Sequence, residues 1–168
     1  MQFKLTQQQQ SIVDKLYDLH KDDNVYSSSI DTRSYTNGLS AQECKLLEQA
    51  FSEQLAGETI DRAMILIEFE PWGVHVDENA LSGILIPIKT QDTHTVIFGS
   101  GPRVTQEFYE QYISHIPRNR TESLFVEETY AWQRGTGVKW DALQLHTSDN
   151  FLARGLDRKI ALVIFTKR

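Results

Sequence analysis

EPWGVHVDENALSGILIPI, residues 70–88, contains the two features that most narrow the possible folds and sites of this chain. Its second half, ALSGILIPI, is a short apolar run bounded by turn-forming residues, which predicts a buried β-strand. Its first half has His75 and Asp77 two positions apart. Because side chains alternate between the faces of a strand, this spacing points an imidazole and a carboxylate the same way. Such a pair can bind one metal ion, although a histidine in a strand is more often an ordinary core or surface residue.

The composition of the whole chain predicts one domain with a substantial core, since 168 residues are present and 40% of them are hydrophobic. The net charge of −6 argues against affinity for bulk nucleic acid or anionic membranes. No apolar run reaches the length of a transmembrane helix, and MQFKLTQQQQ lacks the apolar core of a signal peptide. The single cysteine, Cys44, excludes an internal disulfide and a cysteine-rich zinc site. We therefore expect a cytoplasmic protein with a single domain over residues 1–168.

Residues 1–57 have the pattern of helices. Apolar residues recur at spacings of three and four within 7–19 and again within 40–55. Ser40 and Glu43 predict a capping box at the start of the second helix, and Gly57 marks its predicted end. The polar segment 21–38 between the two helices is predicted to be a connector without regular structure.

After Gly57 the pattern changes to short β-branched segments bounded by Gly, Pro, Asn and Asp. They span residues 63–69, 80–88, 94–98, 123–132, 137–146 and 158–165. GSGPR at 99–103 is predicted to be a turn, and 105–116 an inserted helix. Helices followed by a run of strands predict an α+β or mainly β domain, in which a barrel or sandwich packs against N-terminal helices.

A metal site on residues 75 and 77 needs a further ligand from a distant part of the chain. Two histidines and one carboxylate on one face of an octahedral ion leave three positions open for other molecules. His146 is the best candidate, because strand alternation over 137–146 puts it on the same face as Trp140. His94, at the start of a strand, is the second candidate. His20 and His115 end helical segments, where interactions with the helix dipole or solvent are more common.

Arg158 and Lys159 stand at the start of the last strong strand. A buried cation is costly unless it is paired, so either side chain would indicate an anion site if it pointed inward. A guanidinium can bind a carboxylate through two parallel hydrogen bonds. Alternation lets only one of the two face inward, and the competing interpretation is a strand-end cation in water.

Together these residues resemble the Fe(II)- and 2-oxoglutarate-dependent dioxygenase superfamily. The pattern of that superfamily is H-x-D, then several dozen residues later a histidine, then Arg or Lys about a dozen residues further on. His75 and Asp77 match the first part, His146 follows Asp77 by 69 positions, and Arg158 follows His146 by 12. The segments 70–88 and 130–151 resemble the parts of the family that carry the ligands. The likeness extends over roughly residues 40–168.

For the fold, the resemblance implies a double-stranded β-helix, the jelly-roll or cupin-like barrel. This barrel would occupy residues 58–168, with an inserted helix near 105–116 that has no assigned place in the family. Residues 1–57 would be a helical N-terminal support packed against it.

For the chemistry, the resemblance implies that His75, Asp77 and His146 bind Fe(II) and are the catalytic residues. The co-substrate 2-oxoglutarate would chelate the metal and extend its far carboxylate to Arg158, with Lys159 as the competing candidate. O2 would complete the site, and the co-substrate would be converted to succinate and CO2. The presence of Asp77 favours hydroxylation of the substrate over halogenation.

Several points stay open at the level of the sequence. Trp72 and Trp140 flank the proposed ligands and are candidates for the wall of a pocket, and Glu68 and Glu70 are polar groups that cannot be placed. The prime substrate is unidentified, a small molecule or a protein side chain, with nucleic acid and membranes disfavoured. Two alternatives remain: a cupin-like metalloenzyme that does not use 2-oxoglutarate, and a non-catalytic β-barrel that serves as a binding or structural module.

Overall fold

The computed structural model describes residues 1–23, 34–89 and 92–168. Its helices are α1 (Gln7–His20), α2 (Ala41–Ala50), α3 (Ser52–Leu55) and α4 (Gln106–Phe108). A π-helical segment over Tyr109–Ile113 continues α4, and 3-10 turns lie at Arg118–Arg120 and Phe151–Arg154. Within these described ranges, none of the helices is long and apolar enough to cross a membrane.

The same residues form strands in two sheets. The strands are β1 (Gln2–Lys4), β2 (Ser34–Gly38), β3 (Thr59–Glu68), β4 (Ser82–Pro87), β5 (His94–Arg103), β6 (Phe125–Ala131), β7 (Thr136–Asp141), β8 (His146–Ser148) and β9 (Lys159–Lys167). The large sheet has the order β1-β7-β4-β9-β3-β2, and the small sheet has the order β6-β5-β8. All their pairings are antiparallel. The prediction of a mainly β fold with helices is therefore confirmed.

A closed barrel is not confirmed. Among the described residues, no ladder joins the edges of the large sheet to those of the small sheet. The structure thus shows two separate sheets where the sequence predicted a ring of strands.

The large sheet is covered on both faces. One face packs against α1, α2 and α3 through a core that includes Val13, Leu47, Phe51, Ile65 and Ile84. The other face packs against the small sheet through a second core, whose members are Leu85, Ile97, Tyr130, Trp132, Val138, Trp140, Ala161 and Val163. Each fully buried Ile or Leu of these layers contributes about 1.5–3 kcal/mol through loss of contact with water. The N-terminal helices therefore cover one face of the large sheet.

Local sequence signals set where the two long helices begin. The predicted capping box of α2 is confirmed, because Ser40 accepts from the Glu43 N–H and the Glu43 carboxylate accepts from the Ser40 N–H. An equivalent box begins α1: the Thr6 hydroxyl accepts from the Gln9 N–H at 3.2 Å, and the Gln9 amide oxygen accepts from the Thr6 N–H at 2.9 Å. Each box satisfies backbone donors that the first turn of a helix leaves without partners.

The predicted turn at 99–103 is wrong, because these residues belong to β5. This strand continues through a register shift until Arg103 lies opposite Phe125 of β6. The glycines permit an unusually close approach of the two backbones, since a Cβ on Gly101 would lie 1.6 Å from the carbonyl oxygen of Val126.

The predicted connector at 21–38 lies partly outside the described residues, which omit 24–33. Its last part is β2, which pairs with β3, so the absence of regular structure is wrong for 34–38. The predicted helix at 105–116 is confirmed in its helical character, but it is short and passes into the π-helical segment. Its apolar side chains pack against the outer side of the small sheet, in a third core with Val96, Phe98 and Val126.

Candidate metal centre and its cavity

Backbone pairing brings the proposed ligands together at the end of the small sheet. His75 and His146 form an antiparallel bridge in which each N–H donates to the carbonyl of the other at 3.0 Å. The Asp77 N–H donates to the carbonyl oxygen of Ala142 at 2.8 Å. The side chains of His75, Asp77 and His146 each offer a ligand atom, and these atoms all lie within 4.8 Å of one another. The structure therefore assembles in one place the three residues that the sequence proposed as ligands.

The local structure that positions His146 differs from the one predicted from the sequence. The predicted continuous strand over 137–146 is wrong, because β7 ends at Asp141 and a turn precedes β8. The Asp141 carboxylate accepts from the Leu143 N–H at 2.9 Å, and its carbonyl oxygen accepts from the Gln144 N–H at 2.9 Å. Alternation along a single strand therefore does not orient His146, whose direction comes from its pairing with His75 and with Ile97 of β5.

Backbone carbonyls hold both imidazoles in one tautomer. The Nδ1 atom of His75 lies 2.7 Å from the carbonyl oxygen of Gly73, and Nδ1 of His146 lies 2.9 Å from that of Gln144. A carbonyl oxygen can only accept, so each Nδ1 carries the proton and each Nε2 keeps a free lone pair. This is the usual arrangement behind a histidine that binds a metal through Nε2.

Asp77 completes the donor set. One of its carboxylate oxygens lies 3.4 Å from Nε2 of His146 and accepts a hydrogen bond from the indole N–H of Trp140 at 3.0 Å. Burial lowers the pKa of His146 below its usual value; the neighbouring His75 adds to this effect and Asp77 opposes it. A lowered pKa keeps the imidazole neutral, which is the form that binds metals. Two imidazole nitrogens and one carboxylate fit a divalent transition metal such as Fe(II).

A cavity of about 560 Å³ opens beside these three side chains. Both tryptophans that the sequence proposed as pocket walls, Trp72 and Trp140, line it, and so does Glu68. Apolar side chains from the inner face of the large sheet make up much of the remaining wall, among them Met64, Leu66, Leu85, Val163 and Phe165. The indole N–H of Trp72 is buried and has no hydrogen-bond partner among the described residues. The Trp72 ring centre lies 5.5 Å from that of His75, so this wall of the cavity stands beside a proposed ligand.

Of the two competing cations, the structure places Lys159 in the cavity and Arg158 outside it. Lys159 is 1% exposed and lines the cavity. Arg158 is exposed, and its guanidinium donates to the neighbouring carboxylate of Asp157 at 2.9 Å. The register of β9 against β3 is the cause, because it sets Lys159 opposite Glu68, whose side chain also faces the cavity. Lys159, the competing candidate of the sequence prediction, is therefore the one of the two cations whose side chain faces the cavity.

The ammonium group of Lys159 is poorly satisfied for a buried cation. Nζ donates to the carbonyl oxygen of His94 at 3.3 Å and lies 4.2 Å from the centre of the Trp132 ring. Burial lowers the pKa of Lys159, while the carboxylates of Glu68 and Asp149 act in the opposite direction. Among the described residues, no carboxylate lies within ion-pair distance of Nζ. An anion in the cavity would supply the partner that this ammonium lacks.

The other proposed histidines lie in separate polar clusters. His94 contacts Asp149 at 3.1 Å and Arg154 at 2.8 Å, so it is not part of the metal centre. His115 lies 3.1 Å from the carbonyl oxygen of Trp72 through Nε2. His20 bridges carboxylates near the start of α2. The choice of His146 over His94 therefore agrees with the geometry.

Solved structures share this fold, although no protein-family model and no curated protein matches the sequence. One of them is SnoK, a non-haem alpha-ketoglutarate-dependent carbocyclase from nogalamycin biosynthesis. It matches 99% of this chain and 78% of its own length, with a TM-score of 0.58 and 10% identity. This chain therefore shares the fold of SnoK. Alpha-ketoglutarate is 2-oxoglutarate, so the resemblance noted in the sequence is borne out at the level of fold.

Two further similar structures are larger than this chain. A 2OG-Fe(II) oxygenase family protein from Burkholderia pseudomallei is 15% identical, with a TM-score of 0.42, over 76% of this chain and 51% of that protein. YcfD, a ribosomal oxygenase from Escherichia coli solved with cobalt and 2-oxoglutarate, is 14% identical, with a TM-score of 0.46, over 76% and 28%. This chain thus spans about half of the first protein and less than a third of the second.

Two residues near the metal centre and its cavity were not singled out in the sequence. Trp132 supports Lys159 by its ring, and Gly83 lets Trp140 lie flat against β4. Gly83 sits inside an apolar run, and a glycine within a predicted strand often marks a close approach by another group. That signal was present in the sequence, but it does not reveal which group approaches.

We expect Gly83→Ala to disturb the metal centre through Trp140. A Cβ at residue 83 would lie 2.7 Å from two atoms of the Trp140 ring, so the indole must shift and loosen its hydrogen bond to Asp77. The expected results are a loss of about 1–3 kcal/mol in unfolding free energy and a weaker affinity for divalent metal. Urea unfolding and metal titration measure the two effects. Trp140→Phe is the companion variant, because it removes the donor but keeps an aromatic wall; unchanged metal affinity in both variants would contradict this role of Trp140.

Proposed function

We propose that this protein is an Fe(II)- and 2-oxoglutarate-dependent oxygenase that hydroxylates an unidentified substrate and releases succinate and CO2. The observation that carries the proposal is one cavity lined by His75, Asp77, His146 and a buried, poorly paired Lys159. The first three are a donor set for Fe(II), and the fourth is a site for an anionic group of the co-substrate. The fold shared with SnoK supports the assignment at the level of architecture.

We further infer that the two sheets are the two halves of a double-stranded β-helix, with α1 and α2 as its support. Strands β3, β9, β4 and β7 are consecutive neighbours in the large sheet. The small sheet β6-β5-β8 gains a further partner at His75, which bridges to His146. Four strand positions would then face four others across the cavity, with the metal ligands on the small sheet.

The roles of the residues follow from their contacts. His75, Asp77 and His146 would hold Fe(II), and bound Fe(II) would supply the activation of O2 and the oxidative decarboxylation of 2-oxoglutarate. Lys159 would donate to the far carboxylate of 2-oxoglutarate. The carbonyl groups of Gly73 and Gln144 keep each Nε2 free for ligation.

The walls of the cavity have a protective role in this proposal. Trp140 holds the Asp77 carboxylate in place by its N–H, so that the carboxylate keeps one orientation toward the ligand position. Apolar side chains such as Leu85 and Val163 exclude water from the space beside the ligands. Exclusion of water directs the oxidising power of the site toward a bound substrate rather than toward solvent.

Binding of 2-oxoglutarate that depends on Fe(II) tests this function most directly. Under anaerobic conditions, the purified protein should bind one equivalent of Fe(II) and then one of 2-oxoglutarate, as measured by calorimetry. With O2 admitted, succinate should form. Metal binding without 2-oxoglutarate binding would instead indicate a cupin-like metalloenzyme of another kind, and the absence of stoichiometric metal binding would indicate a non-catalytic module.

A further inference from the structure

The cavity continues beyond the metal centre along two paired strands, β3 and β9. On β3 the side chains of Arg62, Met64, Leu66 and Glu68 line it in turn, at alternate positions of one strand face. Glu68 lies opposite Lys159, and Arg62 lies opposite Phe165. Arg62 and Glu68 are six positions apart on β3, which corresponds to about 20 Å. Arg62 therefore stands near one end of a long apolar stretch, and Lys159 near the other.

The two ends of this stretch serve different ligands. In the proposed function, which the present inference rests on, the Lys159 end takes the co-substrate. The Arg62 end lies in the same row across the sheet as Trp140. Arg62 pairs with Phe165, and Phe165 and Trp140 both pair with Gly83. Trp140 in turn contacts Asp77 of the metal centre. The Arg62 end is therefore the part of the cavity available to the prime substrate.

The middle of the stretch is apolar and has free surface. Met64 and Val163 are direct partners in the ladder between β3 and β9. Met64, Leu66 and Phe165 are only partly buried although they pack against the core between the two sheets, because they line the cavity. Apolar side chains with surface left open to a cavity provide a binding face for an apolar molecule.

The contacts of Arg62 orient its guanidinium and leave it able to bind an anion. Its guanidinium lies 4.4 Å from the centre of the Phe165 ring, which orients the group and leaves its edge free. Its ion pair is a single contact, from NH1 to the adjacent Asp61 at 3.3 Å. Asp61 is shared with Lys167, at 3.2 Å, and both members of the Arg62 pair are partly exposed to water. A shared, solvent-exposed pair gives way readily to a better anion.

We propose that the prime substrate is a small molecule with an apolar body and one anionic group, and that Arg62 binds that group. Glu78 also lines the cavity and would favour a cationic substrate instead. Arg62 is the stronger candidate. It stands on β3 opposite Phe165 of β9, and its guanidinium lies over the Phe165 ring. Glu78 stands in a turn, directly before Asn79, which has a φ of 67°. Recognition groups on strands are held more firmly than those in turns.

Three probes with the same ring and different charge test this substrate class: 1-naphthylmethanesulfonate, 1-naphthylmethanol and 1-naphthylmethylammonium. Sulfonate is a poor metal ligand, so it reports on Arg62 rather than on the metal. Titrations are made by calorimetry without O2, in the presence of Fe(II) and 2-oxoglutarate. We expect the sulfonate to bind about tenfold more tightly than the alcohol, and the ammonium most weakly.

Arg62→Gln should remove the preference for the sulfonate and leave the affinity for the alcohol unchanged. Lys167→Gln is the matched control, because Lys167 pairs with the same Asp61 but does not line the cavity; it should keep the preference. Tighter binding of the ammonium, equal loss of all three probes in Arg62→Gln, or no binding of any probe would overturn the inference.

The same titrations separate this inference from the function on which it rests. Arg62→Gln should bind 2-oxoglutarate as the unchanged protein does, since Lys159 and the metal ligands are intact. If the unchanged protein fails to bind 2-oxoglutarate, the proposed function falls. If it binds 2-oxoglutarate but does not prefer the sulfonate, only the substrate class falls.

Discussion

Asp77→Ala should abolish the binding of 2-oxoglutarate that depends on Fe(II), and His75→Ala should do the same. Each change removes one of three ligand atoms that lie within 4.8 Å of one another. Loss of a partner that merely supports a ligand costs 10–100-fold in metal affinity, so loss of a ligand should cost more than about 100-fold. Anaerobic titration with Fe(II), followed by 2-oxoglutarate, measures both steps.

Controls must show that these variants fail at the metal and not in folding. Asp18→Asn changes an exposed carboxylate of α1, which pairs with Lys21, and should leave metal binding unchanged. Thermal unfolding of Asp77→Ala should show one cooperative transition, since Asp77 is not part of a core cluster. If Asp77→Ala keeps full Fe(II) affinity, the metal centre is not formed by these residues.

Lys159→Met should lose the binding of 2-oxoglutarate while it keeps the binding of metal. The Lys159 ammonium is buried in the cavity and lacks an ion pair within the described part of the chain, whereas a methionine would leave the co-substrate carboxylate unpaired. Truncation of one partner of a buried charge pair costs about 2–5 kcal/mol, which corresponds to a loss of roughly 30-fold to several thousandfold in affinity. Calorimetry with Fe(II) already bound isolates this step.

The neighbouring residue is a matched control for Lys159. Arg158→Met removes a cation one position away, but this side chain is exposed and pairs with Asp157, so the affinity for 2-oxoglutarate should change less than about threefold. Lys159→Arg should restore part of the binding, because it keeps the positive charge. The opposite ranking, with loss in Arg158→Met and none in Lys159→Met, would refute the placement of the co-substrate.

Local patterns in the sequence were enough for much of the fold. The capping residues Ser40 and Glu43 and the apolar spacing that follows predicted α2, because a helix start depends on contacts within four residues. The H-x-D spacing predicted that His75 and Asp77 share a side, and their ligand atoms do meet. The choice of His146 also agreed with the structure, although the continuous strand used to argue for it does not exist.

Features that depend on the register between distant strands could not be predicted from the sequence. Arg62 carried no signal in the sequence, because which face of β3 borders the cavity depends on how the large sheet packs between the helices and the small sheet. GSGPR has the composition of a turn, and only its pairing with β6 makes it a strand. A short segment cannot report such pairings, since their free energy comes from partners that lie many residues away.

Local patterns along the chain were sufficient to identify the kinds of residue that form the site, their spacing and the start of each long helix. Which of two adjacent cations faces the cavity depends instead on strand pairing in the folded protein. Arg158 and Lys159 differ by one position, so one side chain must point to each face of β9. The ladder that sets Lys159 opposite Glu68 selects the lysine, because it directs Ile160, Leu162 and Ile164 into the core beneath the helices and leaves Lys159 on the face of Ala161 and Val163; a shift of one residue would exchange the two sets.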